Sequence, residues 1–63
     1  MKLVYTSHQG FQIRIFTPPS EPDTFRCVAK RGLMNLYLHG SDADALEADA
    51  RTRIDALLSP HTN

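Results

Sequence analysis

The chain has one cysteine, three glycines and no net charge. Each shortage excludes something. A single thiol, Cys27, cannot close an internal disulfide, so no covalent staple is available and a reducing compartment is expected. Three scattered glycines build no glycine-rich phosphate loop. Seven Lys and Arg against seven Asp and Glu leave no global field to draw in nucleic acid or a membrane surface. No apolar run exceeds three residues, far short of the roughly 18 a membrane span needs. The opening "MKLVYTSHQG" also lacks the apolar stretch of about 7–15 residues of a signal peptide. The expectation is a cytoplasmic protein.

What is present suits one small globular domain. The 63 residues allow a single unit over 1–63, with 60–63 expected to fray. An apolar share of 41% with 22% charged residues is ordinary globular composition rather than disorder. A domain this size buries only about 60% of its unfolded surface. Its core contributes roughly 3–5 kcal/mol, and oligomerisation is a common remedy.

The first two-thirds alternate with period 2, the strand period. "KLVYT" (2–6) is partly β-branched or aromatic. In "FQIRIFT" (11–17) Phe11, Ile13 and Ile15 face one way, Gln12, Arg14 and Phe16 the other. "SHQG" between them predicts a turn with Gly10 at positive φ. "PPSEPD" (18–23) holds three prolines in five positions, which lack the N–H a ladder needs and predict a stiff loop. "TFRCVAK" (24–30) places Phe25, Cys27 and Ala29 against Arg26, Val28 and Lys30. "LMNLYLH" (33–39) places Met34, Leu36 and Leu38 against Asn35, Tyr37 and His39. Arg31-Gly32 reads as the turn of a second hairpin.

After Gly40 the period becomes helical. Ala43, Leu46, Ala50, Ile54 and Leu57 recur at steps of three and four, one face of a helix over 42–58. Ser41 is the expected N-cap, and Pro60 the stop. The sum is an α+β fold, β-β-β-β-α: a four-stranded antiparallel sheet of two hairpins with one C-terminal helix on one face.

"SDADALEADAR" (41–51) concentrates four acids, and its chemistry is that of a helix start. A calcium loop from Asp42 would next use Asp44, but its fifth and sixth positions hold Leu46 and Glu47 where a ligand and a glycine are required. The helix dipole favours anions in the first turn. Glu47–Arg51, Asp49–Arg53 and Arg51–Asp55 are i,i+4 pairs. His8, His39, His61 and Cys27 have no zinc-site spacing. Ser7-His8, adjacent in the expected turn, is not the nucleophile–base geometry catalysis needs. Pro19-x-x-Pro22 lacks the flanking basic residue of a polyproline ligand. No catalytic group, cofactor or metal is expected, and the chain reads as a non-enzyme.

Charge is segregated. Residues 1–40 carry five cations and two acids, and residues 41–63 two cations and five acids. The expected outer sheet face carries Arg14, Phe16, Arg26, Lys30, Tyr37 and His39, mixing cations and aromatics without an acid. These six are the candidate binding residues. Tyr, Phe and Arg anchor protein interfaces, so a protein-binding module is expected, a regulator or inhibitor acting by occlusion. The alternative is nucleic acid, with bases stacked on the aromatics and phosphates met by the cations. A homodimer is a further expectation, joined by strand 33–39, which has no charge from Leu33 to Leu38, or by the Phe16–Tyr37 face.

"LHGSDADALEADARTRIDALL" resembles the strand-to-helix step of HicB-type antitoxins, where a capped amphipathic helix follows the sheet. It covers about a third of the chain. The Pro-Asp-Leu-Pro-Gly-Cys segment of that family is absent, and no residue role is carried over. Small sheet-plus-helix proteins without catalytic groups also include phage-encoded inhibitors such as anti-CRISPR proteins, an analogy of size and fold alone.

Overall fold

A computed structural model describes residues 3–59. Four strands, β1 (Leu3–His8), β2 (Phe11–Phe16), β3 (Phe25–Arg31) and β4 (Met34–Gly40), precede one helix, α1 (Ala43–Leu58). The sheet is a meander in the order β1-β2-β3-β4, antiparallel throughout. This is the expected β-β-β-β-α arrangement. The tail 60–63, including the Pro60 stop and His61, lies outside the described residues.

Two tight turns set the registers of the two hairpins. Gln9 and Gly10 both have positive φ (49° and 85°), the type I′ pattern, and they pair His8 with Phe11. The second loop is Gly32-Leu33, not Arg31-Gly32. Arg31 still pairs with Met34, and only Gly32 has positive φ (59°), the II′ pattern. The shift by one residue puts Leu33 at the solvent tip. Ser7-His8 likewise belongs to β1 rather than to the turn. Between the hairpins the proline segment folds back on itself through Glu21 N–H to Pro18 C=O (3.1 Å) and Thr24 N–H to Glu21 C=O (3.0 Å).

The helix covers one face. Phe11, Ile13, Ile15, Cys27 and Ala29 from the sheet are buried against Ala43, Leu46, Ala50 and Ile54. Val4, Phe25, Leu36, Leu38 and Leu58 flank them. Two expected core residues are corrected. Leu57 is 53% exposed, because Ala50, Ile54 and Leu58 at steps of four continue the buried stripe and a step of three turns off it. Met34 is 38% exposed, since it ends an edge strand.

The helix start is also corrected by one residue. Asp42, not Ser41, is the N-cap. Its backbone is extended, and its carboxylate accepts from Asp44 N (3.0 Å) and Ala45 N (3.4 Å). Glu47 and Asp49 pair with Arg51 (2.8 Å) and Arg53 (3.3 Å). Arg51–Asp55 does not form: Asp55 turns to the end of β1 and the turn after it, where His8 Nε2 lies 2.6 Å away and Gln9 Nε2 donates to it (2.5 Å). The acidic stretch is thus accounted for by capping and ion pairs. Among the described residues no group of three or more His, Cys, Asp or Glu could hold a metal ion.

Candidate functional site

The uncovered sheet face is the candidate site. Because strand residues alternate, every second side chain of each strand points away from the helix. The registers arrange these into rows across the four strands. One row is Leu3, Phe16, Arg26, His39. The middle row is Tyr5, Arg14, Val28, Tyr37. The third is Ser7, Gln12, Lys30, Asn35. All six candidate binding residues therefore share one face. Tyr5 and Tyr37 end the middle row, 71% and 69% exposed.

The face is shaped by its own pairs. Arg14 lies over the Phe16 ring, its guanidinium carbon 5.5 Å from the centroid, a cation–π contact. Arg26 Nη2 donates to Glu21 Oε1 at 2.6 Å. The strands contribute no acid to this face, as expected, but the proline loop does. Arg26 is thus paired, leaving Arg14 and Lys30 as the Lys and Arg side chains of this face without a carboxylate partner among the described residues. Beside them a groove of about 640 Å³ runs between β1 and β3, lined by Tyr5, Ser7, Gln12, Arg14, Val28 and Lys30.

Sequence reasoning assigned β1 no face and so missed Leu3, Tyr5 and Ser7. The signal was the two-residue loop. Once Gln9-Gly10 is the whole turn, His8 must oppose Phe11, and parity places Tyr5 beside Arg14.

The helix-side flank of β1 holds a second polar group of side chains. Arg51 Nη2 donates to Thr6 Oγ1 (3.1 Å) and to Glu47 (2.8 Å), and Arg51 Nη1 lies 3.4 Å from His8 Nδ1. A guanidinium only donates, so His8 Nδ1 accepts and its Nε2–H donates to Asp55. This looks like half of a triad but cannot act as one with its neighbour. Ser7 is on the opposite face of the sheet from His8, as alternation requires. The network instead fastens β1 to the helix, which packs mainly over β2, β3 and β4.

The chain matches no protein-family model, no curated protein and no solved structure. The likeness of its strand-to-helix step to HicB-type antitoxins therefore remains one of local pattern. No helix among the described residues is long and apolar enough to cross a membrane.

Proposed function

We propose that the chain is a non-enzymatic protein-binding module, a regulator or inhibitor that lays its bare sheet face over an acidic surface of a protein partner and so occludes it. The observation that supports this is the middle row, Tyr5-Arg14-Val28-Tyr37, two exposed tyrosines flanking an arginine on a rigid sheet. Tyr and Arg are the side chains that most often carry interface energy. Strands hold them in place before binding, which lowers the entropy cost of association. Charge orients the approach: Arg14 and Lys30 lie on the sheet face, while the capped helix behind it carries five acids against two arginines, Arg51 and Arg53 being paired with Glu47 and Asp49.

The interleaving of aromatics with cations also suits a single strand of nucleic acid. Magnitude disfavours it. With Arg26 paired to Glu21, two cations remain, and two phosphate contacts correspond to a salt slope of only about −1.4. Arg14 also covers one face of Phe16, which a stacking base would need to displace.

Reversing Arg14→Glu with Lys30→Glu tests the reading, since both side chains are exposed and neither supports the core. A protein captured by the natural chain from its source cells is expected to be lost by the double variant. Capture of the same protein by the variant sinks the proposal. Tight binding of a single-stranded oligonucleotide by the natural chain, weakening with salt, moves the function to nucleic acid.

A further inference from the structure

The geometry points to β4 as a self-pairing edge: two copies join their β4 strands antiparallel about a two-fold axis at Tyr37, doubling the sheet. It does not rest on the outer-face reading, although Tyr37 and His39 belong to both: the outward backbone groups of β4 carry the pairing.

The two-residue loop makes Arg31 and Met34 a hydrogen-bonded pair, and the antiparallel ladder alternates from there. Leu36, Leu38 and Gly40 therefore bond to β3. Asn35, Tyr37 and His39 direct their N–H and C=O groups outward, away from the sheet. β4 is an edge strand, and it has none of the usual protections. It carries no Lys, Arg, Asp, Glu or Pro, and its register with β3 runs unbroken, without a bulge.

The outward residues are symmetric about Tyr37, which makes the edge self-complementary. A two-fold axis there pairs Tyr37 with the second copy's Tyr37, and Asn35 with the second copy's His39. Every outward N–H and C=O of the three residues then meets a partner. On the helix side Leu36 falls opposite the second copy's Leu38, and Met34 opposite its Gly40. The last match is steric as well as apolar. Met34 is the most exposed apolar residue of that side of β4, and Gly40 presents no side chain, with Leu46 Cδ1 3.7 Å from where a Cβ would stand. The thioether of one copy closes over the Gly40–Leu46 step of the other.

The other edge does not offer this. β1 is also uncharged from Leu3 to His8, but its helix-side flank is the Arg51, Glu47, His8 and Asp55 network. Pairing two β1 edges sets two copies of that network against each other and strips water from them. Pairing β1 with β4 is heterologous and gives a ring or a filament rather than a two-fold dimer. The β4 seam is narrower than a standard interface of roughly 1,600 Å², so the dimer is expected to dissociate on dilution in the micromolar range.

Sedimentation equilibrium of the natural chain across micromolar concentrations, with circular dichroism to confirm folding, tests the proposal. A monomer–dimer equilibrium is expected. Asn35→Lys with His39→Lys sets like charges opposite each other across the seam and is expected to give a monomer. Asn35→Lys with His39→Glu sets opposite charges there and is expected to restore the dimer. A natural chain that is monomeric throughout overturns the inference, as does an open-ended polymer. So does a dimer indifferent to both variants, or one that both abolish while the chain stays folded.

Discussion

His8 Nε2 and Asp55 Oδ1 lie 2.6 Å apart, tying the end of the first strand to the C-terminal part of the helix. Gln9, the next residue, donates to the same carboxylate oxygen. Gln9 is also the one non-glycine among the described residues with positive φ. Its side chain thus reaches the helix from a turn position that glycine or asparagine would fill with less backbone strain.

This contact sets a pH dependence. The hydrogen bonds from His8, then Gln9, hold the Asp55 carboxyl below its ordinary value of 3.8. A carboxylate depressed in the folded state adds stability above its unfolded pKa and loses it as pH falls through the folded value. Denaturation midpoints measured from neutral pH downward should therefore fall more steeply below about pH 4 in the natural chain than in Asp55→Asn. Parallel curves would count against a role for this carboxylate.

Core and flank should separate sharply in the helix. Ile54 is fully buried among Phe11, Ile13 and Ile15, whereas Leu57, three residues on, is half exposed. Ile54→Ala should cost about 2–5 kcal/mol, enough to unfold most molecules of a domain this small. Leu57→Ala should change stability by no more than about 0.5 kcal/mol. Urea titrations of both variants decide it, and equal losses would mean the helix packs on a different stripe.

The two turns should differ in tolerance. At Gly32, φ is +59° and nothing stands within 4 Å of an added Cβ, so Gly32→Ala should cost only the left-handed penalty, about 1 kcal/mol. Gly10 has φ of +85°, further from the left-handed minimum of about +57°, and an added Cβ would make only ordinary contact with Arg31, 3.4 Å from its Cδ and Nε. Gly10→Ala should cost more, about 1–2 kcal/mol. Thermal melts should rank the natural chain above Gly32→Ala, and Gly32→Ala above Gly10→Ala.

Cys27 should be chemically quiet. Burial, with Asp49 and Glu47 adding to it, raises the thiol above its ordinary value of 9.0. The thiolate is the reactive form, so a disulfide-exchange reagent should label native protein slowly at neutral pH and rapidly in denaturant. A thiol raised in the folded state gives stability that is complete below its unfolded pKa and is lost as pH rises past it. Cys27→Ala should accordingly flatten the alkaline decline above about pH 9. Rapid native labelling would mean that Cys27 is reachable without unfolding.

The sequence by itself determined the five elements and the faces of all but the first strand. Period-2 alternation in Phe11–Phe16 and Phe25–Arg31 can bury one side of a strand only, so the inner set Phe11, Ile13, Ile15, Cys27 and the outer set Arg14, Phe16, Arg26, Lys30 were legible without coordinates. The change of period after Gly40 marked the helix for the same geometric reason. Errors of one residue fell where local chemistry is degenerate. Ser41 and Asp42 are both good caps, and Gly32 can stand at either position of a tight loop, so neighbouring contacts chose between them. Tertiary structure alone decided the strand order, which made β4 an edge and carried the Tyr5–Arg14 pair on across β3 to Tyr37. It also decided partners across long separations. Asp55 left Arg51, four residues away, for His8, 47 residues away in the first strand. A sequence places charges along a chain, but which opposite charge lies within hydrogen-bonding reach is settled only when the layers pack.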